Sequence, residues 1–316
     1  MKKFLTKTIL FLLILIVVNL LLLFVIPKDR NHFLCEYDRK VELLKTTPQP
    51  RIILLGGSNI PYGVNTKMLV DSLHTNVVNF GMYGGIGIRL PLEDCLQYVK
   101  KGDSVVLQME YHNFFNGGNG GDIAFIAFMV ATDWKYLGML NAKQAWNVLR
   151  GAPKKAIGNF KRLVDYSVTH SWDTPVENQT YVYTMSGFNN YGDEISHFNY
   201  TSHASLASDI DYKLLPIDSA FVVWLENILH RYESAGAKII MLPPVCVETY
   251  FKNVYNPQIK NYLHQIGYDY VVAPDSMVLN DSCAFNTGYH MNRSGVIQNT
   301  QRIIKILKNI NRNNSR

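Results

Sequence analysis

RIILLGGSN, residues 51 to 59, is an apolar run that ends in two glycines, a serine and an asparagine. Such a run without polar alternation reads as a strand buried on both faces, and strands of that kind belong to parallel sheets covered by helices. Working outward, similar runs occur at NVVNFG (76–81), SVVLQME (104–110), KIIMLPP (238–244) and YDYVVAP (268–274). Helical patterns separate them at 88–102, 218–236 and 257–267, and a last one runs from about Asn292 to Asn311. The second of these ends in AGAK, a glycine stop directly before a strand. Strand and helix in alternation predict a three-layer α/β domain with a parallel sheet and right-handed crossovers.

The rhythm breaks between Phe114 and about Pro216, where the chain is glycine- and asparagine-rich, then partly helical at about 122–165, then polar and aromatic. A hundred residues of this kind predict a large insertion, about 114–216, over one end of the sheet. Ligands bind at the carboxyl ends of strands in such sheets, so the insertion would form a lid or substrate wall. Tyr181, Tyr183, Phe188, Tyr191 and Tyr200 are candidate sugar-stacking rings, or else pack a small core of the insertion itself.

Ahead of the domain, Thr8 to Ile26 reads TILFLLILIVVNLLLLFVI, with Asn19 as its one strongly polar side chain. About 20 such residues span a hydrocarbon core of ~30 Å. The run is longer than a typical signal-peptide core and no small-x-small cleavage site follows it. It therefore predicts a signal anchor within residues 1–30 and an α/β body over 31–316. Lys2, Lys3 and Lys7 favour a cytoplasmic N-terminus, against the opposing bias of Lys28, Arg30, Arg39 and Lys40. The body would then be extracytoplasmic, on the periplasmic or cell-surface side.

Charge agrees with tethering. The 316 residues carry 31 Lys plus Arg and 25 Asp plus Glu, a net +6. Residues 1–30 hold +4 and 301–316 hold +5, which leaves the body at −3 (21 bases, 24 acids). A nucleic-acid binder concentrates a basic stripe on its folded body, and none is visible, so no nucleic-acid partner is expected. The four cysteines, Cys35, Cys95, Cys246 and Cys283, would allow three pairings in an oxidising compartment. Cys95 fits a small buried thiol better, whereas Cys246 and Cys283 both follow predicted strands. No Cys/His spacing suggests zinc, and no metal or organic cofactor is expected.

Four features carry candidate chemistry. GGSN places Ser58 in a glycine-relaxed turn at the carboxyl edge of the sheet, where a nucleophile or an anion-binding group would sit. NFGMYGG brings Asn79, Gly81 and Gly84 after the second strand, with backbone N–H groups unobstructed as an oxyanion hole requires. It lacks the GxGxxG spacing of a dinucleotide site. QMEYHNFF puts Glu110, Tyr111, His112 and Asn113 at the end of the third strand, and FNTGYHMNRSG puts His290 on a loop entering the last helix.

That combination resembles the SGNH/GDSL family of serine esterases and acyltransferases, over about residues 51–113 and 238–305. It is most similar to divergent, membrane-anchored members of bacterial envelopes that accompany polysaccharide or cell-wall O-acylation. The resemblance implies a flavodoxin-like fold, with Ser58 as nucleophile, Gly84 as oxyanion donor and His290 as general base. Asn113 is the best candidate for the second oxyanion donor, with His112 at the competing alignment. Two positions depart from the family. The first block is Gly-Gly-Ser instead of Gly-Asp-Ser, and no Asp stands three residues before His290, where Thr287 is found. An amide can orient a histidine in place of a carboxylate, which makes Asn286 the candidate, while Asp281 on the same loop is another. The implied function is an esterase or O-acyltransferase acting on an acylated glycan or small acyl ester, alongside other envelope polysaccharide-modification proteins. The alternative is a non-catalytic glycan-binding or scaffold protein.

Overall fold

A computed structural model of the chain describes residues 1–175, 182–199, 206 and 210–314. The sheet has four parallel strands, β1 (Arg51–Gly56), β2 (Asn76–Asn79), β3 (Ser104–Gln108) and β4 (Lys238–Met241), in the order β2-β1-β3-β4. Ile53 pairs with Val78 on one side and Val105 on the other, and Val106 with Ile240. The run at 268–274 does not form the expected fifth strand. Its Val271 donates one backbone bond to Met241 O, and the chain then turns at Pro274, which has no N–H for a ladder. A separate two-residue pair joins β5 (Cys246–Val247) to β6 (Val278–Leu279).

The helices are α1 (Lys2–Phe24), α2 (Glu36–Thr46), α3 (Thr66–Leu73), α4 (Arg89–Leu96), α5 (Asn113–Asn116), α6 (Asp122–Ala131), α7 (Ala142–Thr169), α8 (Ser219–Ser234), α9 (Glu248–Val254), α10 (Gln258–Gln265) and α11 (Arg293–Asn314). Strand side chains alternate between two apolar layers, as the period of two demands. Leu54, Val106 and Ile240 pack with Leu69 of α3 and Ile303 and Leu307 of α11. Ile53, Leu55, Val105 and Leu107 face the larger layer, with Val41 of α2, Leu92 of α4 and Leu225 of α8. The result is an α/β body in three layers.

The segment between β3 and α8 does more than cover one end of the sheet. Phe125 and Phe128 of α6 are fully buried in the larger layer, where Phe128 meets Tyr37 of α2 edge-on. Farther along, Asp193 accepts from Thr66 N and Thr66 Oγ1 at the start of α3 and from Asn79 Nδ2 at the end of β2. The buried Lys40 of α2 donates to Asn79 O, Asn79 Oδ1 and Gly192 O. Asn79 is thus a buried joint between β2 and residues 189–193. All four cysteines are buried free thiols, so Cys246 and Cys283 are not bridged.

α1 is long and apolar enough to cross a membrane. Residues 9–18 are exposed all round, and it touches the body through Leu22 and the buried Leu23 near its end.

Candidate active site

The carboxyl edge of β1 and β3 opens into a cavity of about 450 Å³. Strand order reverses between these neighbours, since β1 leads to β2 on one side and β3 lies on the other, which is where open α/β sheets place ligands. Ser58, Gly84 and His290 all line this cavity, together with Glu110 and His112. Tyr62, Tyr83, Tyr183, Phe188 and Tyr250 supply much of its wall. Of the aromatic candidates, Tyr183 and Phe188 therefore face the cavity. Tyr191 lines a different, smaller hollow with Leu43 and Val78, and Tyr181 and Tyr200 lie outside the described residues.

Ser58 is presented by the turn after β1, and its Oγ donates to Glu110 Oε1 at 3.0 Å. The same carboxylate oxygen accepts the backbone N–H of Asn59 at 3.1 Å. Glu110 is buried at the end of β3, and a Cβ on either Gly57 or Gly84 would collide with its carboxylate. A side chain at either position would force the carboxylate away from its present place. His112 Nδ1 lies 3.6 Å from the other carboxylate oxygen, Oε2. The backbone N–H groups of Ser58 and Gly84 have no acceptor among the described residues.

His290 is held by a hydrogen bond and by a stacked ring. Its Nδ1 lies 2.7 Å from Asn286 Oδ1, so the amide oxygen fixes the proton on Nδ1 and leaves Nε2 as the unprotonated nitrogen. Asn286 is itself positioned by donating to Tyr183 Oη at 3.0 Å. Tyr62 stacks on the imidazole at 4.1 Å between centroids, and its hydroxyl donates to Val182 O. Burial, reinforced by the neighbouring His197, pushes the His290 pKa down to about 3. His197 in turn is locked between Glu194 at Nδ1 and Met291 O at Nε2.

Ser58 and His290 therefore share a cavity without bonding each other. Ser58 gives its hydrogen bond to Glu110. Asn113 stands away from the cavity lining: its side-chain N–H donates to Glu110 O at 2.9 Å and closes the turn that starts α5. Asp281 does not substitute for the missing family aspartate, because it accepts from Thr249 N and Thr249 Oγ1 on another face of the loop. The candidate residue least conspicuous in the sequence is Glu110, which lines the cavity and holds the Ser58 hydroxyl. Its signal was a lone acid closing an apolar strand, at the edge where Ser58 also emerges.

No protein-family model and no curated protein matches the chain.

Proposed function

We propose that this chain is a membrane-anchored serine esterase or O-acyltransferase of SGNH type, acting on acyl groups of an envelope glycan. The observation that carries the reading is the Ser58 hydroxyl bonded to a buried carboxylate, beside two unengaged backbone N–H donors, in an aromatic cavity. The strand order β2-β1-β3-β4 supports the flavodoxin-like assignment. Aromatic walls with a few convergent polar groups suit a sugar ring bearing a short acyl group. In this reading α1 is the anchor and the body is extracytoplasmic.

Attack by Ser58 Oγ forms the bond to the acyl carbon, and the carbonyl electron pair moves onto oxygen. The serine proton passes along the existing hydrogen bond to Glu110. The site's single negative charge then shifts from the carboxylate to the oxyanion, which the N–H groups of Ser58 and Gly84 stabilise. Collapse expels the sugar oxygen, which takes the proton from Glu110 and leaves an acyl-serine. Water or a second sugar hydroxyl then repeats the sequence in reverse.

Glu110 thus takes the base role that the family resemblance assigns to His290. Were His290 the base, an imidazolium would form in a buried place that disfavours it by roughly 5 kcal/mol. An ionised Glu110 would also remain beside the oxyanion and repel it. Neutral His290, oriented by Asn286, instead offers Nε2 as an acceptor for the second hydrogen of an attacking water or for a neighbouring hydroxyl of an acceptor sugar, leaving the reacting proton to Glu110.

A second reading, a non-catalytic glycan-binding or scaffold protein, is favoured by the absence of a Ser58–His290 hydrogen bond, since Ser58 gives its hydroxyl to Glu110 instead. Labelling with a serine-reactive fluorophosphonate separates the two. Modification of Ser58 that disappears in Ser58→Ala supports the enzyme, and a folded protein that stays unlabelled overturns it.

A further inference from the structure

α7 is a 28-residue helix with an uncovered apolar stripe. Trp146, Leu149, Ile157, Phe160, Val164 and Val168 recur at spacings of three, four and eight residues, which set them along one side of a helix. They are 58%, 62%, 70%, 54%, 50% and 79% exposed. A contiguous exposed apolar surface of this kind marks an interaction site. Helical geometry sets a row of bases, Lys143, Arg150, Lys154 and Lys161, immediately along one edge of the stripe, with Arg150 also paired to Asp122 at 3.3 Å.

The opposite edge of α7 meets α1. Asn159 donates to Leu22 O at 2.9 Å, and the buried Ala156 shares a core layer with Leu23. Phe24 at the end of α1 lies 4.2 Å from the ring of Trp134, just ahead of α7. The contact falls in the last turns of α1, where a membrane-crossing helix leaves the hydrocarbon, so α7 is fixed at the level of the headgroups.

We infer that α7 lies in the bilayer interface, with its apolar stripe inserted among acyl chains and its basic row against anionic phospholipid headgroups. Interfacial helices combine these two faces. Lysine and arginine stems beside an inserted stripe reach outward to phosphate. The cavity would then be held at a fixed height and orientation above the membrane, which suits a substrate that is itself attached to the envelope. The inference rests on α1 as a bilayer-crossing anchor and is independent of the chemistry at Ser58.

The test uses the full chain reconstituted in vesicles of phosphatidylethanolamine and phosphatidylglycerol. The native cysteines are buried, so spin labels are directed to Ile157→Cys and Val164→Cys, with Lys260→Cys on α10 as the exposed reference. Labels at 157 and 164 should be several-fold better shielded from a water-soluble nickel chelate than the label at 260, and more open to oxygen. Replacing Lys143, Arg150, Lys154 and Lys161 by Gln should reduce that shielding, more so in anionic than in zwitterionic vesicles. Vesicle flotation reads the anchor separately. A protein that floats while its labels at 157 and 164 are as open to nickel as that at 260 overturns the inference and leaves the anchor standing. That result also points to another protein as the occupant of the stripe. A protein that does not float overturns both.

Discussion

At the scale of single residues the site turns on Glu110. Its carboxylate fills the space where side chains on Gly57 and Gly84 would be. In the proposed mechanism Glu110→Gln keeps that packing while removing the proton acceptor, so Ser58 labelling and ester turnover should fall by about 10²- to 10⁴-fold. Thermal stability should change little. His290→Gln should cost less than Glu110→Gln, and equal or larger loss would return the base role to His290. The histidine also makes a stability prediction whose sign is fixed. Its folded pKa of about 3 lies below the ordinary 6.5, so between these values the unfolded chain binds a proton that the native site refuses. Stability is fully present above pH 6.5 and lost as pH falls below it, by about 2 kcal/mol at pH 5 for this group. Denaturant melts at pH 7 and pH 5 should show a smaller acid loss in His290→Gln than in the parent protein. Ser58 and His290 were legible in the sequence as strand-end and loop residues, and so was the Asn286 substitute. Their failure to bond was not legible, because it depends on which side chain reaches the Ser58 hydroxyl first.

Among elements, the joint of α6 with α7 is the tightest. Gly151 faces Asp122 O and Ile126 so closely that any side chain would push the helices apart. Gly151→Leu should destabilise the protein by about 1–3 kcal/mol, read as a lower denaturation midpoint with an unchanged slope. Local chemistry starts α7 clearly: Asn141 accepts from Gln144 N at 2.9 Å and Gln144 Oε1 accepts from Asn141 N at 3.1 Å, a capping box. Four strands and four helices could be read from periodicity because their burial is continuous with their sequence pattern. The run at 268–274 has equally apolar residues but lacks the ladder, since one bond to β4 and a proline do not make a strand. Helix α2 was missed: its buried Glu36, Tyr37 and Lys40 break the apolar stripe, and while Glu36 pairs with Arg39 one turn on, Tyr37 and Lys40 find theirs on Asp94, Asn79 and Gly192, far away in sequence.

For the whole molecule, the decisive connection is between residues 189–193 and the α/β core. Asp193 serves four donors, on Thr66, Asn79 and Asn189. Asp193→Ala would leave several buried donors without an acceptor and should cost about 3 kcal/mol or more in denaturant unfolding, whereas Tyr191→Ala nearby should cost far less. Loss of this joint should also loosen the cavity wall that carries Tyr183 and Phe188, raising KM for an ester substrate before kcat changes. The alternation of strand and helix, the apolar N-terminal helix and the emergence of Ser58, Gly84 and His290 at one edge of a parallel sheet are all written in the order of the residues. These follow from local periodicity and from glycines whose freedom is a property of the residue. That Glu110 holds the Ser58 hydroxyl, that Asn113 serves a turn, and that α7 shows an apolar stripe beside α1 became visible in the folded chain alone. Each of those is a competition among groups distant in sequence, settled by distance and burial.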